Sequence, residues 1–160
     1  MPNLAYERVF QHVLIPLDGS ALSEQILEHA IALGKPMQAD YTLLRVIEPW
    51  MPVSYPPTGY PIRLDQQLQE ELQAEAQAYL DSVAKRLQAQ SLQVRTKVVL
   101  HPRPTVAILE ETCKQRIDLI AMETHGRGGL TRSFIGSVAD KVLRSASIPV
   151  LLHRPYVETL

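Results

Sequence analysis

An α/β protein built on one open, parallel sheet is the fold class this sequence predicts, on three observations. Short solid apolar runs alternate with stretches of helical spacing along the chain, the pattern of βαβ units. The runs lack strict polar–apolar alternation, as strands covered on both faces do. The chain is 160 residues long, about one domain, and enough to bury a core without staples.

The elements follow in order. His12–Leu17 reads as the first strand, with Pro16 near its end, where a missing N–H is tolerable. Asp18-Gly19-Ser20 is a turn, and Ser20 is an N-cap. Leu22, Ile26, Ala30 and Leu33 keep helical spacing up to Gly34, a C-terminal cap signal. Tyr41–Ile47 is the second strand. Leu64, Leu68, Leu72, Ala76, Leu80, Val83 and Leu87 mark a long amphipathic helix. Val94–Leu100 is the third strand, and Pro104 or Thr105 opens a helix through Val106, Leu109 and Cys113. Ile117–Met122 is the fourth strand, and a glycine-rich loop runs from Glu123 to Gly136. A last helix carries Val138, Val142 and Ala146, and Ile148–Leu152 is the fifth strand. The segment Glu48–Arg63 holds five prolines with Trp50, Tyr55 and Tyr60. It reads as a partly ordered surface loop, or else as a lid or partner patch.

Composition excludes several functions. Sixteen Lys and Arg against seventeen Asp and Glu leave a net charge of −1, so bulk charge does not recruit nucleic acid. Cys113 is the single cysteine, which rules out an internal disulfide framework and a cysteine zinc cage. It is expected in the core. Met1–Arg8 shows no apolar signal region, and no apolar run reaches the ~18 residues of a membrane helix. A soluble, cytoplasmic protein that contacts no membrane is the expectation.

Ligands of open α/β sheets bind outside the carboxyl ends of the strands, where connections diverge to opposite faces. Two such ends carry unusual chemistry: Asp18-Gly19-Ser20, and the loop from Glu123-Thr124-His125 to Gly136-Ser137. In the second, small residues allow a backbone nest for an anion. Ser137 stands at a helix start, and Arg127 and Arg132 can grip phosphate. The alternative is a solvated turn with exposed arginines, with His125 in solvent. No GxGxxG follows the first strand, and neither GxxxxGK[ST] nor a GxSxG elbow occurs.

Three segments resemble the universal stress protein family. They are Val13–Ser20, Thr42–Val46, and the run Thr124–Leu130 with Gly136–Arg144 and Ile148–Leu152. The resemblance spans about Phe10 to His153 and implies a single Rossmann-like domain with strand order 3-2-1-4-5. It implies binding of ATP or another adenine nucleotide, with Pro16 and Asp18 beside the adenosine and Tyr41 or Thr42 near the adenine. Gly126, Arg127, Gly129, Arg132, Gly136, Ser137 and Val138 would hold the phosphates. In the family pattern Gly-x2-Gly-x9-Gly-Ser/Thr, the first glycine falls on Glu123. A carboxylate facing phosphates there predicts weak or Mg²⁺-dependent binding, relieved by Arg127, Arg132 or the metal. The implied output is conformational or through partners, with at most slow ATP hydrolysis. The resemblance further implies a homodimer through strand 148–152. The alternative within the family is a dimeric interaction module that does not use ATP.

Overall fold

A computed structural model of the protein describes residues 9–49, 62–125 and 135–156. Five strands form one parallel sheet in the order β3-β2-β1-β4-β5. They are β1 (His12–Pro16), β2 (Asp40–Ile47), β3 (Gln93–Leu100), β4 (Leu119–Glu123) and β5 (Val150–His153). Helices α1 (Ala21–Glu24) and α2 (Ile26–Gly34) follow β1. Helix α3 (Ile62–Gln88) follows β2, α4 (Pro104–Lys114) follows β3, and α5 (Ser137–Ser145) follows β4.

Strand residues alternate between two cores, as a period of two requires. Val13 and Ile15 of β1, Tyr41 and Leu43 of β2, and Leu119 and Ala121 of β4 pack against α2 and α3. Leu14, Leu44, Ile120 and Met122 pack against Ile108 of α4 and against Ala139 and Val142 of α5. Helices α2 and α3 thus cover one face and α4 and α5 the other, and the chain returns past β2 and β1 from β3 to β4. The switch point lies between β1 and β4, which pair through Val13↔Leu119 and Leu14↔Ile120. The Asp118 carboxylate secures that junction by accepting the N–H groups of Gln11 (2.8 Å) and His12 (3.1 Å).

Local corrections have physical causes. Gly34 is no left-handed cap: its φ is −85°, and Gln38 takes the αL position at φ 56°. A Cβ on Gly34 would stand 2.5 Å from the Tyr41 hydroxyl, so the glycine makes room for a fully buried ring. Cys113 is exposed rather than in the core. The buried face of α4 is Ala107, Ile108, Glu111 and Thr112. Glu111 tolerates burial because the Gln115 Nε2 group donates to it at 2.7 Å and Lys114 reaches it at 3.5 Å. His12 sits half-buried in β1, 3.3 Å from Asp40.

The Gly34–Tyr41 contact is open to test. Gly34→Ala should cost about 1–3 kcal/mol as overpacking, read by denaturant unfolding. Removing the hydroxyl in Tyr41→Phe should recover most of that cost. No recovery in the double variant would place the strain elsewhere.

Candidate functional site

Strand β1 ends in a braced turn. The Leu17 N–H donates to Leu44 O at 2.8 Å, extending the β1–β2 ladder by one bond. Gly19 then takes φ 85°, a conformation that favours glycine. Asp18 Oδ1 accepts both the Ser20 N–H (2.9 Å) and the Ser20 hydroxyl (2.6 Å). Ser20 Oγ in turn accepts the Ser23 N–H at 3.1 Å and caps α1, as its residue type predicts. Asp18 is therefore held in place before any ligand arrives.

Strand β4 ends against the start of α5. Thr124 donates its N–H to His153 O (2.8 Å) and accepts the Gly136 N–H at its carbonyl (2.7 Å). A Cβ on Gly136 would lie 2.8 Å from that carbonyl, so the close approach requires glycine. Gly136 is the N-cap of α5 and supplies no side-chain cap; Ser137 is the first helical residue rather than the cap. Among the described residues no side chain caps this helix start, and first-turn amides at the positive end of a helix dipole suit an anion.

Between these two ends opens a cleft of about 940 Å³. Leu44, Val46, Met122 and Val138 give it apolar walls. Its polar lining includes Asp18, Arg45, Glu75 and Tyr79. Arg45 Nη1 donates to the Leu17 carbonyl at 3.3 Å. The Tyr79 hydroxyl donates to Glu24 at 3.0 Å. Burial first, and then the Glu24 carboxylate, push that hydroxyl well above its usual pKa, so Tyr79 is a neutral wall at physiological pH.

Glu123 is the last residue of β4. Its carboxylate accepts His153 Nδ1–H at 2.8 and 3.0 Å, and its side chain is 2% exposed. The His153 ring lies against His29, with centroids 4.1 Å apart. Glu123 also lines the cleft described above, and Arg127 and Arg132, expected to answer its charge, lie outside the described residues. Among the described residues the partner of Glu123 is His153, on the neighbouring strand.

Five of the expected site residues come together at the cleft: Pro16, Asp18, Gly136, Ser137 and Val138. Tyr41 and Thr42 do not. They pair with Val13 and Leu14 at the amino end of the sheet, where Tyr41 is buried in the α2 core and Thr42 donates to Gln115. The β2 residues that reach the cleft are Leu44 through Ile47, followed by Glu48, since a parallel strand must run its length to reach its carboxyl end. Gly126, Arg127, Gly129 and Arg132 lie outside the described residues, as does the proline-rich stretch 50–61. His125 is not solvated: it is 8% exposed. Arg45 and Tyr79 were hidden by location, one inside a strand and the other on a long amphipathic helix.

The arrangement defines a doubly wound α/β protein with a ligand-sized cleft at its switch point. The chain belongs to the universal stress protein family, whose match covers residues 10–154. A universal stress protein of Methanocaldococcus jannaschii is 32% identical over 146 residues, which cover 91% of this chain and 83% of that protein. Universal stress protein UspA from Lactobacillus plantarum shares the fold at a TM-score of 0.72 and 24% identity, over 89% of this chain and 97% of its own. A universal stress protein solved in complex with cAMP superposes at a TM-score of 0.66 and 20% identity, over 92% of this chain and 98% of its own. No described helix is long and apolar enough to cross a membrane.

The buried carboxyl of Glu123 makes a signed prediction. Burial raises its pKa above the ordinary 4.5, and the His153 hydrogen bond and charge pull it partly back. The folded chain then holds this proton more tightly than the unfolded chain. Stability should fall as pH rises from the ordinary value through the raised one. Glu123→Gln removes the buried charge and keeps a carbonyl for His153. It should melt no lower than wild type near neutral pH, with any gain shrinking as pH falls toward 4.5. A loss largest at neutral pH would mean that the charged pair outweighs burial.

Proposed function

We propose that the chain binds ATP or a related adenine nucleotide in the switch-point cleft and acts as a regulator, through conformation and partners. The uncapped start of α5 at Gly136, facing the cleft beside the fixed Asp18, carries this reading. The backbone there is arranged to receive an anion. The apolar walls suit a base, and the cleft's volume leaves room for a mononucleotide. The cAMP complex of a family member supports an adenine ligand. Arg127 and Arg132 stay in the proposal as phosphate contacts. With Glu123 bonded to His153, Mg²⁺ is not needed to bridge that carboxylate to phosphate. Catalysis is limited to slow ATP hydrolysis, with no residue assigned as its base.

A thermal-shift panel of ATP, AMP, cAMP and adenosine, each with and without Mg²⁺, tests the reading. A ligand at a hundredfold its Kd stabilises by about 2.7 kcal/mol, which is a rise of about 5–10 °C for a chain of this size. No shift with any of them would favour the second reading, a dimeric interaction module.

The β5 edge favours assembly under either reading. Val150–His153 is half-buried, and β5 ends the sheet with β4 as its one neighbour. An edge strand presents backbone groups that another strand can pair. A homodimer through residues 148–152 follows, and Val150→Lys should release monomers. Light scattering that finds wild-type monomer at micromolar concentration would contradict it.

A further inference from the structure

One cleft residue carries a polar atom with no partner among the described residues. The Nε2 atom of His125 is buried and lacks a hydrogen-bond partner, in a residue only 8% exposed. Roughly nine in ten buried polar groups in folded proteins are paired, so an exception at a cleft points to a missing partner. The other ring nitrogen is occupied, since Nδ1 lies 2.9 Å from Thr124 Oγ1.

Position sharpens the point. The Thr124 carbonyl holds the Gly136 N–H, which ties the His125 backbone to the start of α5. A Cβ on Gly136 would stand 3.8 Å from His125 Cα. His125, Gly136, Ser137 and Val138 line the cleft together. The backbone of His125 therefore stands beside a helix start that has no side-chain cap, and both line the same cleft.

A neutral imidazole has one donor and one acceptor nitrogen, and the partner at one fixes the other. We propose that the Thr124 hydroxyl donates to Nδ1 and that Nε2–H is a specificity contact for a phosphoryl oxygen of the bound ligand. A phosphoryl oxygen only accepts, so this donor distinguishes a phosphorylated ligand from its nucleoside. The inference rests on the nucleotide reading above and adds to it a residue that selects for phosphate.

Titration calorimetry with ATP, AMP and adenosine on wild type, His125→Leu and His125→Gln tests it, alongside ligand-free melting temperatures. His125→Leu should weaken ATP and AMP about tenfold or more, one hydrogen bond to a charged group, and leave adenosine within about twofold. Its ligand-free melting temperature should stay close to wild type, since removal of the unpaired Nε2 offsets the lost Thr124 bond to Nδ1. His125→Gln, whose amide can place a donor near the Nε2 position, should recover most of the affinity. Wild-type affinity for ATP in His125→Leu overturns the proposal, and so does an equal loss for adenosine. Should His125→Leu not fold, His125→Gln must still bind ATP more tightly than His125→Asn, whose amide reaches only the Nδ1 position; equal binding overturns it. Wild-type protein that binds none of the three ligands sinks the nucleotide reading itself, a result distinct from equal binding by wild type and variant.

Discussion

The pairing of β1 with β4 is the constraint on which the rest of this structure depends. These strands are 106 residues apart at the His12–Asp118 contact, so their register must be specified by more than proximity. Two hydrophobic partners, Val13↔Leu119 and Leu14↔Ile120, set it. Asp118 adds both carboxylate oxygens to the N–H groups at the head of β1 and donates its own N–H to the His12 carbonyl at 3.0 Å. A shift of one residue would exchange the faces of β4 and move Leu119 and Ala121 out of the α2 core. With register fixed at the amino end, the carboxyl ends arrive side by side, and the Asp18 turn faces the Thr124–Gly136 junction across the cleft.

The same register explains how a glutamate sits at the end of β4. Odd-numbered β4 residues face α2, so Glu123 follows Leu119 and Ala121 onto that side. There β5 presents His153 in register, Glu123↔His153, and the cross-strand pair closes. Even-numbered Met122 faces the α5 side. Thr124, the next residue, bonds through its carbonyl to the Gly136 N–H at the start of α5, so the end of β4 meets both β5 and that helix. The cleft combines the braced Asp18 turn with apolar walls, and Glu123 lines it while its carboxylate is paired with His153 of β5.

Much of this was legible in the sequence. Switches between apolar runs and helical spacing marked all five strands and the order of helices, and Asp18-Gly19-Ser20 and Gly136-Ser137 marked the two loop ends. What stayed hidden was tertiary. Gly34 reads as a cap, but its purpose is room for the Tyr41 ring, a contact seven residues along and set by packing. Cys113 has the right spacing for a core face, yet Glu111 takes that face because Gln115 and Lys114 satisfy it. Glu123 reads as a loop charge until β5 supplies His153. Tyr41 and Thr42 fail as cleft residues for a directional reason: a motif match locates a strand, while the end of that strand reaches the ligand. His125 reads as a solvated loop residue, because a sequence shows the ring but not the wall around it.

Amide chemical-shift mapping during an ATP titration tests the central claim most directly, since it reports where on the fold a ligand sits. The account predicts the largest changes at Leu17 to Ser20 and at Gly136 to Ala139, the facing ends of β1 and α5, with Tyr41 and Thr42 little affected. Changes centred on the amino end of the sheet, around Asp40, Thr42 and Gln115, would contradict it and move the site to the opposite edge of the molecule.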